Sequence, residues 1–325
     1  MVDNKGWVQH RRLKYLTEHQ KTFRFRLIES KRFGLLWNLG FFRKQPVFFS
    51  TWRTAHGLIK KRPGIFSDSD FNYFMTAVTS HSNIGGGLDP MNPIPGRTPE
   101  EAFDLAVGLL RKFRVVTANS MILHEMLSNV LPDLIYCPNG VDIDFFRPAG
   151  NRKYDPDMIR IGWAGKVRGP KNFPVIERAC NELEAMGGFK AEFVKVPKHF
   201  SKAPFSPEQM RDFYRSIDFY LCASWNEGTP NPGLEAGSCG VPVVSTRVGN
   251  MRELIKPGVN GFFIEPSSGS IVETFKDIRS MDKEEYDRMS AAMRASIIHD
   301  WSWEKRINNF VSSFERFTDN TRKDI

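Results

Sequence analysis

The 325-residue chain is 41% hydrophobic and 26% charged, as an ordinary soluble protein is, and its four cysteines have spacings that fit neither a zinc site nor a compact disulfide framework. Its formal charge of +9 is localised: residues 1–44 carry eleven Lys or Arg against three acids, so the remainder is nearly neutral, which argues against a nucleic-acid binder with cations spread over its fold. The longest weakly charged apolar stretch, Gly34 to Phe42, falls well short of the roughly 20 residues of a membrane span, and no secretory leader pattern is visible, so a reducing, cytoplasmic setting is expected.

From the N-terminus, residues 10–44 interleave cations with Phe23, Phe25, Leu27, Phe33, Leu36, Trp37, Phe41 and Phe42. Two readings stay open. The segment docks on an anionic membrane surface, where each basic residue contributes about 1 kcal/mol. Alternatively its apolar residues are strands and helices of the first domain and the cations are its solvated face. Tyr73 to Thr79 reads as a buried strand, and Thr98 to Phe113 as a helix with a Thr98/Glu101 capping box and Pro99 at its first position. A strand (Arg114 to Ala118), a helix (Ser120 to Asn129) and a strand (Leu134 to Cys137) follow, ending in the turn Pro138-Asn139-Gly140.

Residues 146–157 mix Pro, Gly and charge without a period, which predicts a domain boundary there. Beyond it the alternation restarts, with strands near Met158 to Trp163, Ala191 to Val196, Asp218 to Ala223, Pro242 to Thr246 and Gly261 to Ile264. A helix opens at Ser206 with Gln209 completing a capping box, and a last helix from about Trp303 repeats Ile307, Phe310, Val311, Phe314 and Phe317 on one face. The pattern predicts an α/β fold with parallel sheets. Its expected parts are an N-terminal domain over 1–148, a C-terminal domain over 149–305 and a helix over 306–325 that crosses back to the first domain.

The strongest local signal is Ser224 to Pro242, which sets Glu227 and Glu235 with seven residues between them among glycines and prolines. Pro232 suits a helix start, leaving Glu227 in the preceding loop and Glu235 about one turn inside. Amides around Thr229, Asn231 and Gly233, with the helix dipole, would favour a phosphate. Glu235 could then accept hydrogen bonds from ribose hydroxyls while Glu227 faces a transferred sugar. Two solvated glutamates would show the same spacing by chance.

With its surroundings, this stretch resembles the retaining glycosyltransferases of the GT-B fold, the family 4-like group also called glycosyl transferases group 1, in which two glutamates so spaced mark the donor site. Ile161 to Asn172 is similar to the family's donor-phosphate loop, with Gly165, Lys166 and Lys171 in place. Lys166 stands where Arg is frequent and Asn172 where Gly is frequent. Cys137 to Pro148 resembles the inter-domain signature, and Gly249, Asn250, Glu253 and Gly258 to Gly261 the closing segment. No usual opening strand with a glycine-rich loop is legible at the N-terminus.

The resemblance implies two Rossmann-like domains facing a central cleft, and a nucleotide-sugar donor linked to UDP or GDP. The acceptor is expected to be a glycan or lipid-linked, and the enzyme to sit in the cytoplasm or peripherally on the membrane. Gly165, Thr229, Pro230, Asn231, Gly233, Leu234 and Glu235 are expected to bind the donor; Lys166 and Lys171 to meet charge on the leaving diphosphate; Glu227 to orient or stabilise the sugar. His81, with Gly85 to Gly87, is expected near the donor sugar or acceptor, and base recognition around Val196 to Phe205. No cofactor or metal is expected, because Asp142 and Asp144 fall in the domain-joining segment, where Asp142 reads as a cap. Two other functions stay in view: a nucleotide-sugar 2-epimerase or hydrolase of the same fold, and a non-catalytic membrane or nucleic-acid binding module.

Overall fold

The computed structural model describes residues 2–3, 7–80, 84, 98–150, 154–165, 167, 169–186, 190–197 and 205–322. His81, Gly85 to Gly87, Lys166 and most of the expected base-recognition segment lie outside these described residues. The chain divides into two compact units, one running to Asn139 and resuming at Arg306, the other holding Gly140–Lys305.

The first unit is built, in chain order, from β1 (Val2–Asp3), α1 (Trp7–His19), β2 (Ile28–Glu29), α2 (Ser30–Asn38), β3 (Val47–Phe49) and α3 (Trp52–Lys61). It continues with β4 (Phe74–Val78), α4 (Pro99–Leu110), β5 (Val115–Ala118), α5 (Met121–Ser128) and β6 (Ile135–Tyr136). The strands form one parallel sheet in the order β2-β1-β3-β4-β5-β6. Residues 10–44 are therefore elements of this unit, and the opening strand exists but is only two residues long. Phe33 and Trp37, one turn apart on α2, are buried with Phe49 and Phe74, whereas Leu35, Leu39 and Phe41 are 60%, 66% and 55% exposed. The Thr98/Glu101 capping box forms as the sequence predicts, with the Glu101 N–H donating to Thr98 Oγ1 at 3.2 Å.

The second unit comprises β7 (Met158–Gly165), α6 (Phe173–Ala185), β8 (Lys190–Pro197), α7 (Pro207–Ser216), β9 (Phe219–Cys222), α8 (Asn231–Ser238), β10 (Val243–Ser245), α9 (Met251–Leu254), β11 (Gly261–Phe263), α10 (Ser268–Arg279) and α11 (Lys283–Ser296). A π-helical turn, Ile297–Trp301, leads into α12 (Trp303–Arg322). The five strands are parallel in the order β11-β10-β9-β7-β8. Their residues alternate between two cores, as a sheet covered on both faces requires. Tyr220, Cys222 and Val243 face α7 and α8, while Phe219, Leu221 and Val244 face α6 and α10.

The boundary between units falls after Asn139, not in the expected stretch 146–157. The reason is packing: Val141 and Phe146 are buried in the same core as Tyr214, Ile297 and Trp301. The Arg294 guanidinium fixes this segment, donating to the carbonyls of Ile143 (2.9 Å), Phe146 (3.1 Å) and Ser238 (2.7 Å). Asp142 acts as a turn cap, its Oδ1 accepting from the Phe145 N–H at 2.9 Å. From Arg306 onward α12 belongs to the first unit, where Phe314 packs on Phe23, Phe25 and Phe48. Among the described residues no helix is long and apolar enough to cross a membrane.

Arg294→Met keeps the aliphatic stem but strips the Ile143 and Ser238 carbonyls of the guanidinium donor and leaves that of Phe146 with Ser238 Oγ alone, and is expected to lower stability by about 2 kcal/mol, read as a lower urea midpoint at unchanged slope.

Candidate functional site

The strand order of the second unit sets β7 between β8 and the central strand β9. Connections from β7 and β9 leave in opposite directions, so a crevice opens beyond their carboxyl ends; this is the switch point where open parallel sheets bind ligands. Gly165 ends β7, and a Cβ there would meet the Trp163 ring at 2.8 Å, so the chain turns close against its own strand. Asn172, at the start of α6, sits in the left-handed region (φ 55°). That conformation favours glycine and tolerates asparagine, which accounts for the departure from the resembled pattern. Its Nδ2 donates to the Pro266 carbonyl at 3.1 Å.

The loops after β7 and β9 are stitched together. The Trp225 N–H donates to the Pro170 carbonyl at 2.8 Å, and Lys171 Nζ forms an ion pair with Glu227 Oε1. Ser224 Oγ donates to the same Glu227 oxygen at 2.9 Å, and Thr246 Oγ1 donates to the Ser224 carbonyl at 2.7 Å. A third loop closes on them at Gly249 (φ 46°), where a Cβ would lie 2.1 Å from the Gly228 carbonyl oxygen. For Lys171, burial is the largest single influence and disfavours the charge, but the Glu227 carboxylate, Cys222 and the Glu227 hydrogen bond together outweigh it, so the pKa is raised. The ammonium is fixed across the physiological range.

Glu235 lies on α8, whose residues from Pro232 to Ser238 are all buried. It is 5% exposed and accepts a hydrogen bond at 2.7 Å from the hydroxyl of Tyr214 on α7. The Tyr214 pKa is pushed well up, first by burial and then by the Glu235 charge. Tyr220, whose hydroxyl donates to the Ala164 carbonyl at 3.2 Å, is raised by burial and also by Cys222, Glu227 and Glu235, so the two carboxylates flank one phenol.

Of the sequence-predicted residues, Lys171 and Glu227 are thus in contact, Gly165 ends the strand beneath them, and Glu235 is held behind. The amides expected to face an anion are partly committed: Gly233 N–H donates to the Pro230 carbonyl at 2.8 Å and Asn231 N–H to that of Thr229 at 2.9 Å. The turn preceding a short helix satisfies its own donors, which corrects the expectation for these two. Leu234 is core, packed with Tyr214 and Met251. Sequence reasoning missed Tyr214 and Ser224. It also missed Asn226, which is 2% exposed with neither amide atom hydrogen-bonded, an arrangement that costs folding free energy unless a ligand or water supplies partners. Ser224 and Asn226 precede Glu227 within three residues; Tyr214 has no local signal.

Comparison with known proteins bears on residues 164–279, which match the family model described as Glycosyl transferases group 1. A D-inositol 3-phosphate glycosyltransferase of Paenarthrobacter aurescens (strain TC1) is 26% identical over 189 residues, 47% of this chain and 45% of that protein. The chain spans less than half the length of this and two further D-inositol 3-phosphate glycosyltransferases that it matches. Among solved structures, a sucrose-phosphate synthase (tll1590) from Thermosynechococcus elongatus aligns with a TM-score of 0.70 at 12% identity, covering 89% of this chain and 77% of that one. Anabaena Alr3699/HepE in complex with UDP-glucose aligns with a TM-score of 0.63 at 14% identity, covering 89% and 85%. These likenesses establish the GT-B fold.

Lys171→Met deprives Glu227 of its cation and is expected to cost about 1–3 kcal/mol, less than a fully buried pair because both groups keep some solvent contact. The pKa of Lys171 is raised in the folded chain above its ordinary 10.5, so its contribution is whole below that value and is lost as the pH climbs through the folded pKa. The urea stabilities of wild type and Lys171→Met should therefore differ by a constant amount at neutral pH and converge only in strong alkali.

Proposed function

We propose, from the match of residues 164–279 to the glycosyl transferases group 1 family model, that the chain is a retaining glycosyltransferase, independent of metal, that moves a sugar from a UDP- or GDP-linked donor to a glycan or lipid-linked acceptor. The observation that carries the proposal is the Lys171–Glu227 ion pair at the carboxyl ends of β7 and β9. Breaking the bond from the anomeric carbon to the diphosphate sends the electron pair to the leaving group, and a fixed cation beside that oxygen lowers the barrier. An ammonium has three donors, so Lys171 can hold Glu227 and still reach a phosphate oxygen. Lys166 shares this task in the proposal.

Glu227, on the open loop, orients the sugar and stabilises positive charge at its anomeric carbon. Glu235, backed by Tyr214, anchors the ribose, and Asn226 supplies amide partners to the donor. His81 is assigned to the donor sugar. The UDP-glucose bound to the Anabaena protein supports a nucleotide-sugar donor for a chain of this fold. The same reading takes the enzyme to the cytoplasmic face of an anionic membrane through its basic N-terminal segment, supported by the exposure of Leu35, Leu39 and Phe41 within a stretch rich in Lys and Arg.

Thermal-shift titration with UDP-glucose and GDP-mannose should raise the Tm for at least one donor, since a ligand of the native state stabilises it. Glu227→Gln should keep most of that shift and lose turnover by a factor of about 100 or more, the scale of a lost electrostatic stabiliser. Glu235→Ala should lose most of the shift, and EDTA should leave turnover unchanged. An epimerised or hydrolysed sugar in place of a glycoside, or an active Glu227→Gln enzyme, would sink the assignment.

A further inference from the structure

Away from the second unit, the first unit carries a cavity of about 340 Å³ in the groove between α2 and α3. Lys31, Arg53, Lys61 and Arg62 line it, and no carboxylate does among the described residues. Lys31, Lys61 and Arg62 form no ion pair among the described residues, and no acid among the described lining residues stands between them to offset their repulsion.

The wall is apolar and shaped by two glycines. Leu35, Leu58 and Ile65 form it, Gly34 lets Leu58 approach, and a Cβ on Gly57 would meet nothing within 4 Å, so the groove stays open at its centre. Thr54, also in the lining, is 3% exposed, and its hydroxyl has no hydrogen-bond partner. A buried hydroxyl without a partner costs free energy, and here it sits in a wall that carries only positive charge.

We propose that this groove is a binding site for a phosphate-bearing ligand, with the anion held between Lys31, Lys61 and Arg62 and the ligand's apolar part laid on Leu35 and Leu58. A phosphate offers several acceptor oxygens to converging ammonium and guanidinium donors, which is the chemistry this lining presents. The site lies in the other unit from Lys171 and Glu227 and stands whether or not the chain transfers a sugar.

The full-length chain is titrated with inorganic pyrophosphate by calorimetry and sedimented with phosphatidylcholine vesicles with and without phosphatidic acid. Both are repeated in a Lys171→Met background, which weakens anion binding at the second unit. Lys61→Gln should weaken binding by about tenfold, the loss of one charge-assisted contact. Gly57→Leu fills the groove without touching a charge and, being helical, should fold at least as well as wild type; it should weaken binding by a similar factor. Lys60→Gln, one residue outside the lining, should change it less than about twofold, the scale of an exposed charge. Pyrophosphate binding alone identifies a soluble phosphorylated ligand, vesicle binding alone a lipid headgroup, and either supports the site. The proposal fails if neither probe binds, if Lys60→Gln costs as much as Lys61→Gln, or if Gly57→Leu binds unchanged.

Discussion

One ammonium–carboxylate contact, Lys171 to Glu227, governs the geometry of the second unit's carboxyl edge. Both groups give up much of their water to make it, a cost that attraction in the drier interior offsets only when hydrogen bonds occupy the remaining lone pairs. Ser224 supplies one such bond and is itself fixed through its carbonyl by Thr246 on the neighbouring loop. The contact is therefore the middle of a chain that runs across three loops and is closed by Gly249, where only hydrogen fits against the Gly228 carbonyl. Charge placement and loop placement are a single constraint.

The same strand order gives the two glutamates unlike surroundings. Glu227 leaves β9 on an irregular loop and meets a cation; Glu235 sits on a helix buried along its length and meets a neutral phenol. A carboxylate beside an ammonium is neutralised as a pair, whereas the one held by Tyr214 has an oxygen committed to a phenol hydroxyl. Tyr220 senses both, so the carboxylates belong to one electrostatic neighbourhood although they sit on different elements. Asn226, buried with its amide unpaired beside Glu227, is the point in this neighbourhood where the chain alone leaves hydrogen bonding incomplete.

The sequence shows most clearly what is encoded locally. Strands buried on both faces read as short apolar runs, so β7, β9, β10 and β11 lie within a few residues of where Met158, Asp218, Pro242 and Gly261 point. Capping boxes at Thr98 and Ser206 form because each needs only a residue three positions on. That Glu227 and Lys171 serve one site was legible only through the resemblance, since no local rule joins positions so far apart in the chain, and their direct ion pair was not read at all. Tyr214 could not be read, because its partner lies 21 residues away on another helix. The unit boundary was misplaced for a related reason: Pro, Gly and charge at 146–157 look like a linker, but Phe146 is bolted to α8 and α11 by Arg294 and Ser238, contacts invisible to composition.

The N-terminal segment shows why composition could not choose between core and surface. Phe33 and Trp37 stand one turn apart on the buried face of α2, while Leu35 and Leu39, also one turn apart, face outward. Cation and aromatic counts are the same whichever face is buried. What separates the faces is the turn that follows, where Phe42 and Lys44 adopt left-handed backbone at φ 65° and 54°. Each such residue costs on the order of 1 kcal/mol or more and persists only where its surroundings hold it. Here Phe42 stacks on Phe33 with ring centroids 5.7 Å apart, and Arg43 lies over Trp37 at 4.6 Å while pairing with Asp70. The buried aromatics thus hold the strained turn, and the turn in its pinned form leaves Leu39 and Phe41 in solvent. One face of a nine-residue helix builds the core and the other builds a surface, from the same kinds of residue.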